Sequence, residues 1–204
     1  MKRKKICLVL LAGVLVVALF VGIRYTVQRA YRHQHLMDVW WGAKNYRELS
    51  KQMKDTPVVL LAKDEYGFED DVYYGTLMDG PEDNRHAIGY TASGSFSLED
   101  GKTFRLDVDC GPIDHFGAAE GHVLSAYRGT DIHTRRLYLP YVDDGKTRRQ
   151  VIAAIELDGI VYRATVTYDA PGSTPEALQA QEDVLEQKNA QLLQKIVDQY
   201  MDQP

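Results

Sequence analysis

A chain of 204 residues has room for one domain with a real core, and a second large domain does not fit beside it. The net charge of −5 hides an asymmetry: residues 1–35 carry seven Lys or Arg and no acid, whereas residues 64–120 carry fourteen acids and three bases. That acidic middle argues against a nucleic-acid partner, and two cysteines, Cys7 and Cys110, exclude a disulfide-built fold.

Residues 1–5 form a basic tail. From Ile6 to Ile23 follow eighteen residues without a charge, which at 1.5 Å per residue span roughly 27 Å as a helix. A cleaved signal peptide has a shorter apolar core of about 7–15 residues and then small residues at the cleavage positions. Here Phe20 and Arg24 occupy those positions, and Val14 stands where a lipidated cysteine would be required. The run is therefore read as a retained transmembrane anchor, residues 6–23, in contact with membrane lipid. Lys2, Arg3, Lys4 and Lys5 outnumber Arg24, Arg29 and Arg32, so the amino terminus is expected in the cytoplasm and the large carboxy-terminal part outside it, with the inverted orientation as the alternative.

Residues 24–55 lack proline and are rich in helix formers, with Val39, Ala43, Tyr46 and Met53 at helical spacing. They are expected to form a juxtamembrane helix, kinked near Gly42 and ended by Thr56-Pro57. Residues 56–170 read as a β-domain. PVVLLAK at 57–63 and DVYYGTLM at 71–78 look like strands, and AIGYTASGSFSL and TFRLDVD flank the turn Glu99-Asp100-Gly101-Lys102. GHVLSAYR and RRLYLPYV follow, and VIAAIEL and IVYRATVTY meet at Asp158-Gly159, the composition of a tight hairpin. Seven or eight short strands predict an antiparallel β-sandwich or small barrel. Residues 173–202 predict an amphipathic helix with Ser173 as N-cap, Pro175 in its first turn and Leu178, Leu185, Leu192, Ile196 and Tyr200 on one face. It would lie on the β-domain or against the juxtamembrane helix, with oligomerisation through the terminal helices as the alternative. The fold class is thus mainly β, flanked by an N-terminal transmembrane and juxtamembrane helix and a C-terminal helix.

The densest cluster of functional side chains is DVDCGPIDHFGAAEGH, which offers Asp107, Asp109, Asp114, His115, Glu120 and His122 as binding residues. No cofactor is evident. A divalent cation such as calcium could use these oxygens, although the D-x-D-x-G fragment lacks the other ligands of an EF-hand loop and no zinc spacing occurs. Asp109-Cys110 shares its dipeptide with a family of cell-wall hydrolases, yet Gly111-Pro112 follows here where Ser-Gly opens a helix there. No G-x-S-x-G elbow, phosphate loop or dinucleotide fingerprint is present. No catalytic residue is assigned, and Cys110 is expected to be a small buried hydrophobe. The sequence thus points to a single-pass, membrane-anchored extracytoplasmic binding or assembly module that meets a protein or polymer partner at an acidic face. Two alternatives compete with it: a cell-envelope hydrolase using Cys110 or a metal in the 107–122 segment, and a structural subunit recruited into a membrane complex by its terminal helices.

Overall fold

The computed structural model describes residues 39–70, 72–80, 85–140, 147–169 and 174–203, so the basic tail, the anchor and the segment up to residue 38 lie outside the described residues. By packing, the chain divides into two units, residues 1–39 with 79–85 and residues 40–78 with 86–204. The core, its helices and the candidate site belong to the second. Eight strands, β1 (Val39–Ala43), β2 (Tyr73–Asp79), β3 (His86–Ser97), β4 (Thr103–Pro112), β5 (His122–Tyr127), β6 (Thr130–Pro140), β7 (Thr147–Leu157) and β8 (Ile160–Asp169), form one antiparallel sheet in the order β1-β2-β3-β4-β8-β7-β6-β5. The sheet is open, with β1 and β5 at its edges. The expected sandwich or closed barrel is therefore corrected to a single sheet with a long helix across it, because residues 175–201 rather than a second sheet cover the apolar face.

Strict alternation explains that face. In β4, Phe104, Leu106, Val108 and Cys110 are buried, and in β8 Tyr162, Ala164, Val166 and Tyr168 join them, while Val151, Ala153 and Ile155 of β7 complete the patch. Every second residue thus faces the same way, and the residues between face water or the opposite surface. Asp158 and Gly159 both adopt positive φ in the β7–β8 turn, as the hairpin reading required.

The juxtamembrane expectation changes most. Val39–Ala43 is a strand, in keeping with its β-branched and aromatic residues, and the helix α1 is confined to Tyr46–Gln52. Asn45 caps it by accepting from the Glu48 N–H at 3.0 Å, and Leu49 is its buried residue. The apolar stretch at 57–63 is not a strand either. It bends at Pro57-Val58, runs irregularly through residues 59–62 with Val59 and Leu61 buried, and enters a 3-10 turn at Lys63; tyrosines bond to its backbone in place of a neighbouring strand. The Val59 N–H donates to Tyr162 Oη at 2.8 Å, Tyr90 Oη donates to the Val59 carbonyl at 3.0 Å, and Tyr46 Oη donates to the Leu61 carbonyl at 2.8 Å. Buried backbone groups must find partners. The core tyrosines are those partners.

Besides the 3-10 turn Lys63–Tyr66, two further helices complete the unit: the single turn α2 (Ile113–Phe116) and the long α3 (Pro175–Met201). Thr174, rather than Ser173, caps α3, accepting from the Ala177 N–H at 3.3 Å, with Pro175 in the first turn as expected. Leu185, Leu192 and Ile196 are buried against the sheet, so α3 lies on the β-domain. Its inner face is wider than the expected stripe and includes Leu193, Val197 and three polar residues, Glu182, Glu186 and Asn189. The last turn of α3 holds no basic residue, and Arg128, from the β5–β6 turn, supplies the cation there by pairing with Asp198 at 2.9 Å.

Among the described residues no helix is long and apolar enough to cross a membrane.

Candidate functional site

The strand order sets the path of the segment that holds most of the sequence-predicted site. β4 lies in the middle of the sheet and β5 at its far edge, so residues 113–121 must pass β8, β7 and β6. Three contacts fix that crossing. The Ile113 N–H donates to the Gly159 carbonyl at 2.9 Å, Arg163 donates to the Phe116 carbonyl at 2.9 Å with its guanidinium 5.9 Å from the Phe116 ring, and Arg135 pairs with Glu120 at 2.9 Å. Arg163 and Arg135 point away from the face covered by α3, so the crossing runs over the opposite, open face. Gly121 lands it on β5. Its φ is +132°, and a Cβ there would stand 2.3 Å from the Thr134 carbonyl oxygen.

Beside this crossing the open face holds a shallow depression of about 350 Å³, lined by Thr91, Asp107, Asp109, Arg135, Leu137, Gln150, Ile152, Arg163 and Thr165. Register shows how the side chains come together. Thr91 pairs with Asp109 and Asp109 with Arg163 along one row; Ser93, Asp107, Thr165, Ile152 and Arg135 follow one another along the next. Neighbouring strands lie about 4.8 Å apart, so Asp107 and Arg135 stand three strand spacings, roughly 14 Å, from each other.

The electrostatics of the two carboxylates differ. Asp107 accepts a hydrogen bond from Ser93 and pairs with Arg105 at 3.3 Å. Asp109 is held above the usual carboxylate range, chiefly by desolvation and also by the Asp107 charge, while a hydrogen bond from Thr91 and the Arg163 charge act in the opposite direction.

Of the six residues named from the sequence, Asp107 and Asp109 sit in the depression, and Glu120 is joined to its rim through Arg135. Asp114 and His115 are exposed on α2, and His122 is exposed at the start of β5. None of these three lines the depression. Arg135, Arg163, Thr91, Thr165 and Gln150 were not found by sequence reasoning, since four strands outside the 107–122 segment supply them. One signal was available: Arg163, Thr165 and Thr167 alternate with the apolar positions of β8. Within the acidic stretch Asp100 pairs with Lys102 and Asp107 with Arg105, bases of the stretch itself, and Arg135 from outside it adds a partner for Glu120. Among the described residues no group of three or more His, Cys, Asp or Glu gathers as metal ligands.

Cys110 is completely buried under the sheet beside Tyr162, and burial pushes its thiol well above the usual range. A cysteine nucleophile needs the reverse, an accessible thiol of lowered pKa. Its place is structural.

Compared with protein-family models, with curated proteins and with solved structures, the chain finds no significant match in any of the three.

Proposed function

We propose that the chain is a binding or assembly module, tethered to a membrane by residues 6–23 with its sheet domain on the extracytoplasmic side, and that its working surface is the depression on the open face. The observation that carries this reading is Asp109. It is a carboxylate placed among β-strands beside a like charge, where desolvation outweighs the help of Thr91 and Arg163. An asparagine would fit the same space and hydrogen bond at lower cost, and groups kept at such a cost cluster where a ligand uses them. The two guanidiniums beside the acids weigh against a bare divalent cation as occupant, because like charges repel it. A protein or polymer segment presenting both donors and acceptors suits the mixed lining of carboxylate, guanidinium, amide, hydroxyl and aliphatic groups.

Two measurements test the proposal. Protease added to intact cells should degrade the sheet domain, and full protection would remove the extracytoplasmic placement. A photo-cross-linking residue at Thr165, in the depression, should give an adduct in cells that is lost on adding Asp109→Asn and is absent when the label stands at the exposed Val184 of α3. Identical adducts from both positions, or none from Thr165, would refute the working surface.

A further inference from the structure

The inner face of α3 divides into two unlike halves. From Asn189 onward it is held by Ala190, Leu192, Leu193, Ile196 and Val197, all buried, and the Asn189 amide donates to the Val151 and Ala164 carbonyls at 3.0 and 3.3 Å. Before Asn189 the only buried apolar residue of the helix is Leu185, and residues 175–181 contribute no buried side chain. What holds this first half is charge. Arg136 of β6 binds Glu186 through Nε at 2.9 Å and Nη2 at 2.6 Å, Asp183 at 2.6 Å and Glu182 at 3.3 Å. Arg149 and Tyr168 add bonds to Glu182 at 2.7 and 2.9 Å, and Thr134 adds one to Glu186 at 3.0 Å.

The support is also one-sided. On the flank away from β6, a groove of about 760 Å³ separates residues such as Ala180, Val184 and Gln187 from Leu98 and Asp100 of the β3–β4 turn. Lys102 crosses it to Gln181 at 3.1 Å, and Lys188 lies 4.4 Å from the centre of the Phe96 ring. One guanidinium thus grips three carboxylates on one side of a helix whose other flank is a groove bridged by the side chains of Lys102 and Lys188.

We propose that residues 175–188 of α3 are a charge-latched arm, with Arg136 as the latch, that lifts from the sheet while the half from Asn189 onward stays docked. Lifting uncovers Arg136, Arg149 and Tyr168 on the sheet. The arm exposes one apolar residue, Leu185, when it lifts, and the other buried side chains on the surface it withdraws are the carboxylates Glu182 and Glu186, which water solvates. Local opening of this kind belongs to segments with few buried apolar contacts. The proposal concerns the covered face and stands apart from the open-face depression.

Hydrogen exchange of the full chain in mild detergent, read by mass spectrometry, tests it. In the wild type, amides of residues 179–188 should exchange at least tenfold faster than those of 190–199. In Arg136→Gln the first group should accelerate at least tenfold more, while 190–199 and the β7 and β8 amides keep their wild-type rates. Equal protection of the two halves within a factor of two in the wild type, or equal acceleration of both halves in the variant, overturns the proposal. If Arg136→Gln loses protection everywhere, Asp183→Asn takes its place: it removes only the exposed outer contact and should accelerate residues 179–188 about threefold. No selective acceleration there also overturns the latch.

Discussion

Replacing Tyr162 by phenylalanine removes one oxygen from the centre of the core and leaves the ring in place. That oxygen accepts the Val59 N–H at 2.8 Å, in a segment with no strand neighbour to take over. Tyr162 is 1% exposed and Val59 2%, so water does not reach the orphaned amide without opening the core. The cost is a lost hydrogen bond together with a desolvated, unpaired donor, about 1–3 kcal/mol. In a domain of this size each kcal/mol moves the melting temperature by about 2–4 °C, so Tyr162→Phe should melt roughly 2–12 °C lower than the wild type. The assay is thermal unfolding of the full chain in mild detergent, followed by near-ultraviolet circular dichroism, with Tyr73→Phe as control because Tyr73 is 45% exposed. The control should fall within about 0.5 kcal/mol of the wild type. Tyr90→Phe, which frees the Val59 carbonyl instead, should cost a comparable amount, and the double variant reports how far the two bonds depend on each other. A Tyr162→Phe protein that melts with the wild type would show that the tyrosine cluster does not hold the 57–63 segment, and the account of the core would fail.

Burial raises the hydroxyls of Tyr66, Tyr90 and Tyr162 above the ordinary tyrosine range. Groups raised on folding lend stability that is complete below the unfolded pKa, about 10 for tyrosine, and is lost as pH rises beyond it, at up to about 1.4 kcal/mol per pH unit for each group. Urea midpoints should therefore fall steeply between about pH 10 and 11, and a flat profile there contradicts the burial. Asp109 is also raised, so folding favours its protonated form and disfavours its charged form. Asp109→Asn should then be more stable than the wild type at pH 7, with the gap closing below about pH 4, and the opposite order at pH 7 refutes the desolvation argument. Gly121→Ala would place a Cβ 2.3 Å from the Thr134 carbonyl oxygen at a φ of +132°, and a loss of about 1–3 kcal/mol in denaturant unfolding is expected. Stability equal to wild type would mean that the crossing does not land on β5 as described.

The sequence by itself determined the local elements that depend on near neighbours. Alternation placed β3, β4, β7 and β8 because side chains two apart share a face, and Asp158-Gly159 marked its hairpin because both positions need positive φ. The terminal helix was equally legible from Pro175 and its apolar spacing. Tertiary structure decided what those elements cover. A strand with one apolar face looks the same whether a second sheet or a helix packs on it, so sandwich, barrel and single open sheet could not be told apart until α3 was seen across β6, β7 and β8. The segment 57–63 misled for a related reason: apolar residues in a row signal burial, whereas the partners of their backbone groups are tyrosines distant in sequence, Val59 bonding to Tyr162. Glu182 and Asn189 are polar by residue type and lie off the predicted apolar stripe, yet they are buried, because arginines on β6 and β7 and carbonyls on β7 and β8 meet them. The depression divides in the same way. Asp107 and Asp109 were legible as neighbours on one strand, while Arg163, Arg135 and Thr165 joined them only through the register of β8 and β6, a property of the assembled sheet.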